Sequence, residues 1–361
     1  GSSDSDFITN DNDGLTVNAT LSAALATGET LQYFDGSSWT NVDSSNITAN
    51  SDGDLVNVSF IDTALTSDAT IKFRVTDTAG NSGTEASQAV VIDSAAPTTT
   101  VTINSISEDT GSSDSDFITN DNDGLTVNAT LSAALATGET LQYFDGSSWT
   151  NVDSSNITAN SDGDLVNVSF IDTALTSDAT IKFRVTDTAG NSGTEASQAV
   201  VIDSAAPTTT VTINSISEDT GSSDSDFITN DNDGLTVNAT LSAALATGET
   251  LQYFDGSSWT NVDSSNITAN SDGDLVNVFF IDTALTSDAT IKFRVTDTAG
   301  NSGTEASQAV VIDSAAPTTT VTINSISEDT GSSDSDFITN DNDGLTVNAT
   351  LSAALATGET L

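Results

Sequence analysis

Three residue types that often carry chemistry are missing from this 361-residue chain, which contains no cysteine, no histidine and no methionine. Without cysteine, the chain can form neither a disulfide nor a thiolate metal site. Without histidine, it lacks the side chain that most often serves as a general base or a metal ligand near neutral pH. Ser-His-Asp and Cys-His catalytic arrangements are therefore excluded, and we expect a protein that is not an enzyme.

Basic side chains are scarce as well, with 6 Lys and Arg against 53 Asp and Glu, which gives a formal charge of -47. Nucleic acids and anionic membrane surfaces carry the same sign of charge, so we expect neither as a partner. No run of 18 or more apolar residues is present, so we expect no membrane insertion in this segment. The residues from Gly1 onward are neither basic nor apolar as in a signal peptide, and we expect an interior fragment. Cations are the partners that this charge favours.

An internal repeat of 110 residues organises the chain, and Gly1 returns as Gly111, Gly221 and Gly331. The one difference that we find between the copies is Phe279, which replaces a serine. The period is too long for a solenoid turn of about 20–50 residues and fits one domain of about 100 residues per copy. The chain is therefore predicted to be a tandem array of domains, which we call modules.

Proline marks the predicted boundaries, because it occurs only 3 times, once in each full copy. Proline interrupts a strand and stiffens a short connection. We therefore place the boundaries after Pro97, Pro207 and Pro317. The predicted modules are 1–97, which lacks its first strand, 98–207, 208–317, and a partial module at 318–361 that holds the first two strands.

Short runs of alternating apolar residues predict β-strands in each module. Low hydrophobicity with high charge can indicate disorder, but these runs are regular and are bounded by turn residues. In module 98–207 they lie at about 100–106, 125–131, 141–144, 149–152, 165–171, 181–187 and 197–202. No segment shows a convincing helical period. Seven short strands in about 105 residues predict an all-β fold of tandem immunoglobulin-like sandwiches, with a closed barrel as the alternative.

Three motifs of the module carry a resemblance to a known family. They are QYFDGSSWT at 142–150, RVTDTAGN at 184–191 and VIDSAAP at 201–207. Together they resemble the tandem bacterial Ig-like extender domains of giant RTX adhesins of the ice-binding and biofilm type, which the type I pathway secretes. The resemblance implies an extracellular location at a bacterial cell surface, calcium binding between modules and a spacer role. The Gly-Gly-x-Gly-x-Asp calcium repeats of such proteins are absent from this sequence.

Acidic residues concentrate in the connection between the first two strands, where the 16 residues from Glu108 hold six carboxylates. Strand alternation places this connection beside the end of the last strand, where a loop of the next module arrives. Carboxylates at this density repel each other, and Ca²⁺ relieves the repulsion because it accepts six to eight oxygen ligands in loose geometry. A solvated acidic surface is the alternative, and a β-turn explains the Asp-Thr-Ala-Gly-Asn loop equally well. The predicted calcium ligands are Asp4, Asp6, Asp11, Asp93, Asp109, Asp114, Asp116, Asp121, Asp187, Asn191, Asp203, Asp219, Asp224, Asp226, Asp231, Asp297, Asn301 and Asp313.

The expected function is that of a structural extender, a monomeric rod of modules that holds a distal binding domain away from a bacterial cell. Its expected partners are calcium ions and the neighbouring modules of the same chain. The alternative is a repeated carbohydrate- or surface-binding module that gains avidity from its copies. Tyr143 and Trp149 could then stack on a sugar, although core or turn packing is the interpretation that we favour. Phe279 follows the inward-facing Val278 and is predicted to point outward.

Overall fold

The computed structural model describes residues 3–49, 56–159 and 166–361. In these ranges all regular structure is β-strand or single turns of 3-10 helix, and no helix is long and apolar enough to cross a bilayer. The chain divides into two compact units, one made of residues 1–206 with 297–302 and the other of residues 207–296 with 303–361.

The first unit contains two copies of the repeat. The copy that precedes Pro97 contains β1 Ile8–Thr9, β2 Leu15–Leu21, β3 Thr30–Phe34, β4 Trp39–Asn41, β5 Ile47–Ala49, β6 Val56–Asp62, β7 Ala69–Thr76 and β8 Ala86–Ile92. The copy that follows Pro97 contains β9 Val101–Ile106, β10 Ile118–Thr119, β11 Leu125–Leu131, β12 Thr140–Phe144, β13 Trp149–Asn151, β14 Ile157–Ala159, β15 Val166–Asp172, β16 Ala179–Thr186 and β17 Ala196–Ile202.

Two sheets face each other in the copy that follows Pro97. One has the strand order β14-β15-β11-β9 and the other β10-β17-β16-β12-β13. Alternation of side chains along each strand directs one set inward, so Leu125, Val127, Ala129 and Leu131 of β11 are all at most 2 % exposed. These residues form one core with the inward side chains of the second sheet, among them Phe183. The predicted immunoglobulin-like sandwich is thereby confirmed.

All seven predicted strands are present, and the structure adds two short ones that the sequence pattern did not indicate. β10 has two residues and pairs in parallel with the end of β17, while β14 has three residues and pairs with β15. The chain crosses from β13 to β14 through a 3-10 turn at Ser154–Asn156, which the Asp153 side chain caps by accepting the Ser155 N–H. Strands of two or three residues are too short to show an alternating pattern, so periodicity could not reveal them.

The second unit repeats this architecture and then ends in a hairpin. Its strands are β18 Val211–Ile216, β19 Ile228–Thr229, β20 Leu235–Leu241, β21 Thr250–Phe254, β22 Trp259–Asn261, β23 Ile267–Ala269, β24 Leu275–Asp282, β25 Ala289–Thr296, β26 Ala306–Ile312, β27 Val321–Ile326 and β28 Val347–Leu351. β27 and β28 form a separate two-stranded sheet. Phe279 on β24 is 49 % exposed between buried Val278 and half-buried Phe280, which confirms its predicted outward direction.

Buried aromatic side chains link the two sheets of each sandwich. The Tyr143 ring lies 4.5 Å from that of Phe170 and 5.1 Å from that of Phe183, measured between centroids. Its hydroxyl donates a hydrogen bond to the Asp172 carboxylate at the end of β15. Burial, together with this carboxylate, raises the pKa of Tyr143 well above its ordinary value, so the hydroxyl stays a donor. Tyr143 is thus a core residue, as favoured from the sequence.

Candidate functional site at the joint between modules

The loop between β16 and β17 contacts the end of the preceding module. The Asn191 side-chain amide donates a 2.7 Å hydrogen bond to the backbone carbonyl of Asp93, just beyond β8. Both carboxylate oxygens of Asp187 orient this asparagine, one accepting its backbone N–H at 2.9 Å and the other its side-chain amide at 2.8 Å. Within the same unit, Asn301 donates to the Asp203 carbonyl at 2.6 Å. The Asp-Thr-Ala-Gly-Asn loop therefore forms a hydrogen-bonded joint.

Burial in this loop depends on the presence of a preceding module. Ala189, at the centre of the loop, is 0 % exposed, and so is Ala299 in the loop at 297–302. Ala79 occupies the same position in the first copy, where no described residues precede the module, and it is exposed. Because the loop sequences are identical, the burial comes from the neighbouring module and not from the loop itself.

A glycine next to the loop allows the connecting segment to approach closely. A Cβ atom built on Gly193 would lie 2.8 Å from the carbonyl oxygen of Pro97, closer than real Cβ contacts come. The counterpart in the first copy, Gly83, has no atom nearer than 3.6 Å to a Cβ built there. Glycine at this position therefore serves the joint and not the fold of the module.

The acidic connection between β9 and β11 contacts the loop at 297–302, which belongs to the same unit. The Thr110 hydroxyl donates to the Ala299 carbonyl at 2.6 Å, and the Ser112 N–H donates to the Thr298 carbonyl at 3.2 Å. Between these donors, a Cβ built on Gly111 would lie 1.9 Å from the Thr298 carbonyl oxygen. The space is sufficient for glycine and for no larger residue.

Asp109 is the most confined carboxylate of this connection. Its Oδ2 accepts the backbone N–H of Phe117 at 3.1 Å, whereas its Oδ1 is buried without a hydrogen-bond partner. The Oδ1 atoms of Asp219 and Asp329 are in the same situation. Burial raises the pKa of Asp109, and the neighbouring Asp116 carboxylate raises it further. A buried oxygen without a partner is costly, and it is one place where a cation would be stabilising.

The backbone of the connection is strained at two positions. Glu108 has a φ of 53° and Phe117 a φ of 62°, values in the left-handed region that residues other than glycine seldom adopt. The Thr119 side chain is fully buried and donates to the Glu108 carbonyl at 2.5 Å. Its hydroxyl oxygen also accepts the Asp121 N–H at 3.0 Å. This buried threonine therefore joins the two ends of the acidic connection.

A second group of interacting carboxylates lies in the corresponding connection of the second unit. The negative charge of Asp231 raises the pKa of Glu218, and a hydrogen bond with Asp231 raises the pKa of Asp233. Repulsion from the Asp231 charge is the main cause at Glu218 and adds to the effect of the hydrogen bond at Asp233. Neither Glu218 nor Asp233 was among the predicted ligands, although the density of acidic residues in the sequence pointed to both.

The structure brings some predicted ligands together and leaves others apart. Asp109 lies beside Asp116, and Asp231 beside Glu218, but the described residues contain no group of three or more acidic side chains arranged to hold a metal ion. Half of the 18 predicted ligands hold turns, in which a carboxylate oxygen accepts the backbone N–H two residues further on. These are Asp6, Asp11, Asp93, Asp116, Asp121, Asp203, Asp226, Asp231 and Asp313. Calcium binding by the predicted ligands stays a prediction.

A comparison with protein-family models agrees with this architecture. The model of the bacterial Ig-like domain family matches residues 33–94, 95–204 and 205–314. Among solved structures, the chain is similar to a tandem pair of titin Ig domains at 10 % identity and a TM-score of 0.19, over 59 % of this chain and 98 % of that one. A second titin fragment has 9 % identity and a TM-score of 0.19, over 54 % of this chain and 92 % of that one. The search of curated proteins finds no match.

Ig-like modules of this kind are typically structural and not enzymatic. The three family matches follow one another along the chain and cover more than half of it. The chain is therefore a tandem member of the bacterial Ig-like domain family.

Proposed function

We propose that this chain is an extender segment of a bacterial surface adhesin of the RTX type, which the type I pathway exports and which works outside the cell. In this role, modules in series hold a distal binding domain away from the cell. The joint carries the proposal, because Asn191 of one module is hydrogen-bonded to the Asp93 carbonyl of the module before it. A linker with such contacts allows fewer orientations than a flexible one.

Calcium is part of the proposed mechanism, and the residues at the joint fit it chemically. Ca²⁺ prefers carboxylate and carbonyl oxygens. Asp109 offers a buried Oδ1 without a partner, and Asp116 supplies a second carboxylate beside it. These two residues would hold the ion, and its positive charge would offset the repulsion between their two carboxylates. The acidic connection would then favour its folded conformation over an open one in which the carboxylates move apart.

The expected size of the calcium effect is large for a single module. Extracellular calcium modules bind with dissociation constants of about 0.1–1 mM. At about 10 mM calcium, one such site adds roughly 1.4–2.7 kcal/mol to the free energy of unfolding. An ordinary domain has only about 5–15 kcal/mol in total. Calcium binding would therefore change both the stability of each module and the range of orientations that each joint allows.

A sugar-binding role has less support from the aromatic side chains. Tyr143 is 3 % exposed, so its ring is not available to a ligand. Trp149 lies on the outer face, but the Arg184 guanidinium lies 4.2 Å from its ring centroid, and Arg184 Nε donates to Gln142 at 3.0 Å. Arg184 therefore occupies a face of the ring on which a sugar would stack. Lys182 forms its own ion pair with Glu195 at 2.8 Å.

Calcium titration of the whole chain tests the proposal. Melting temperature and small-angle scattering are measured in chelator and in about 10 mM Ca²⁺. We expect calcium to raise the melting temperature and to make the scattering profile more extended. Asp219→Asn should weaken the rise from its own module, whereas the matched variant Asp272→Asn, which removes one charge from an exposed turn, should not. Identical melting and scattering in both conditions would contradict the proposal.

A further inference from the structure

The outer face of one sheet carries no charge, although the chain as a whole has a formal charge of -47. In the second unit this sheet has the strand order β18-β20-β24-β23. Among the residues of these four strands the one ionisable side chain is Asp282. Its carboxylate accepts a hydrogen bond from the Tyr253 hydroxyl of the facing sheet, so it belongs to the interior of the sandwich. The outward side chains are hydroxyls, amides and apolar groups, and we call this surface the neutral face.

Polar groups of the neutral face are hydrogen-bonded to one another across the strands. The Asn238 side-chain amide donates to the Ser215 hydroxyl at 3.1 Å, and the Asn214 amide donates to the Thr240 hydroxyl at 3.2 Å. Amides and hydroxyls that already have partners lose less when water is removed than groups without one. Another protein surface can therefore cover the neutral face at a small cost in desolvation.

Two large apolar side chains lie next to each other on the neutral face. Phe279 is 49 % exposed, and Ile281, two residues further along β24, is 64 % exposed. Ile171 is equally exposed at the same place in the preceding copy, but its neighbour there is Ser169. The one sequence difference between the copies thus converts a single exposed isoleucine into an apolar pair.

The opposite sheet of the same module is charged on its outer face. Lys292 forms an ion pair with Glu305 at 2.8 Å, and the Arg294 guanidinium lies 4.2 Å from the ring centroid of Trp259. Two copies of so acidic a chain repel each other most where their carboxylates meet, and least where neither surface has a charge. Among the two outer faces of this module, the neutral face is therefore the one on which a second copy can pack.

We infer that the neutral face pairs with the same face of a second copy of this chain, and that Phe279 of each chain packs on Ile281 of the other. A twofold axis produces such a contact, because identical faces bring residue i to j and residue j to i. Phe279 and Ile281 point outward from one strand, so an axis that passes between them satisfies both contacts. Asn238 and Thr236 lie beside them in register and surround the apolar pair with uncharged polar groups.

The size of the neutral face indicates a weak contact. Four strands about 4.8 Å apart, with seven residues of about 3.3 Å each, give a face of about 19 Å by 23 Å. Two such faces bury about 900 Å² together, which is less than the roughly 1,200–2,000 Å² of a stable interface. Pairing is therefore expected at high local concentration, as between chains held side by side, and not in dilute solution. It needs neither calcium nor the stalk function.

Sedimentation equilibrium of the whole chain tests the pairing, in chelator and in about 0.15 M salt, which screens the repulsion between acidic chains. We expect the average mass to rise from one chain toward two as the concentration increases. Phe279→Ser restores the residue of the other copies, so the variant should fold. It should weaken association by about tenfold, because each dimer loses two buried phenyl rings. Ser169→Phe creates the apolar pair in the preceding copy and should strengthen association.

Ser197→Phe is the matched control, because it exposes the same ring on the charged sheet, beside Lys182 in register. It should leave association unchanged. Thr236→Cys places one thiol near the twofold axis, and a short bis-maleimide should link chains into dimers and no larger species, since the chain has no other cysteine. Chains that stay monomeric at every concentration, a Phe279→Ser variant that associates as strongly as the parent, or equal gains from the two phenylalanine variants would overturn the inference.

Discussion

The copies that begin at Gly1 and Gly111 have the same sequence, yet their interiors differ. Leu125 and Leu131 of β11 are 0 % exposed, whereas Leu15 and Leu21 of β2 are only half-buried. β9, which precedes Gly111, pairs with β11 and covers that sandwich, and the described residues ahead of β2 hold no such strand. The strand that follows Pro97 therefore contributes Val101 and Ile106 to the core of its module.

The same two copies distinguish the interactions within a module from the interactions across the joint. The loop around Ala79 has the hydrogen bonds of the loop around Ala189, including the contact from the asparagine side chain to the first aspartate. Only the second loop is covered and reaches a carbonyl of the module before it. The loop is therefore preformed by its own sequence, and the joint adds burial and one hydrogen bond. Matched substitutions in the two copies can measure each contribution.

The largest difference is expected in the core. Phe183→Ala should lower the free energy of unfolding of its module by about 3–5 kcal/mol, because a fully buried ring leaves a cavity. Phe73→Ala should cost clearly less, since that side chain is already partly exposed. Urea unfolding is followed by tryptophan fluorescence in chains that keep one tryptophan, Trp149 or Trp39, in the module that is tested. Equal losses would contradict the contrast between the two cores.

The second difference concerns the glycine at the joint. Gly193→Ala should destabilise the joint by about 1–3 kcal/mol, because the new Cβ would overlap the Pro97 carbonyl. Gly83→Ala should be close to neutral, since a Cβ there has room. Thermal melts of the two variants make the comparison. A larger effect at Gly83 would show that the glycine serves the module and not the joint.

The third difference isolates the hydrogen bond across the joint. Asn191→Ala removes both the contacts inside its loop and the bond to Asp93, whereas Asn81→Ala removes only the contacts inside its loop. The excess loss at Asn191 should be about 0.5–1.5 kcal/mol, the usual net value of one hydrogen bond. Urea midpoints of the two variants and of the double variant give this excess. An excess of zero would show that the bond contributes nothing.

The smallest difference is expected at the exposed turn between β12 and β13. Hydrogen bonds from the Ser148 and Ser147 backbone lower the pKa of Asp145 from its ordinary value of 3.8 to about 2. Asp35 has the same shift for the same cause. A lowered pKa means that the turn contributes stability above about pH 4, which is lost as the pH falls through about 2.

Asp35→Asn and Asp145→Asn should therefore reduce the loss of stability at low pH by the same amount, since neither turn depends on a neighbouring module. Urea midpoints between pH 5 and pH 2 provide the measurement. Asp109 should have the opposite effect, so that its protonation at low pH stabilises the fold. Burial raises its pKa, and protonation relieves the cost of a buried charge. A strong asymmetry between the two turn variants would show that the copies differ beyond the core and the joint.

Much of the fold could be predicted from the sequence, because alternation of residues such as Leu125 and Val127 reports burial directly. The two short strands could not, since two or three residues carry no period. The bend of the acidic connection is local, because the phenylalanine at its centre has a φ of 59° in the first copy and 62° in the second although only the second is buried. No sequence pattern indicates such a left-handed phenylalanine.

The candidate site was only partly predictable. Acidic density located the connection that contains Asp109, but the buried, unpartnered oxygen depends on packing that no spacing rule provides. Asn191 contacts the preceding module, whereas calcium binding by Asp187 and Asn191 stays a prediction. The hydrogen bond from Asn191 to a backbone carbonyl could not be anticipated, because that acceptor belongs to a different module.

A distance measurement across the first joint tests the account most directly. Ser59→Cys and Ser169→Cys lie on outward positions of matching strands in consecutive modules and can carry spin labels, since the chain has no other cysteine. With calcium present, the account predicts one narrow distance distribution, which broadens when calcium is removed and broadens further with Asn191→Ala. A distribution that is equally broad in all three samples would show that neither the ion nor the loop fixes the joint.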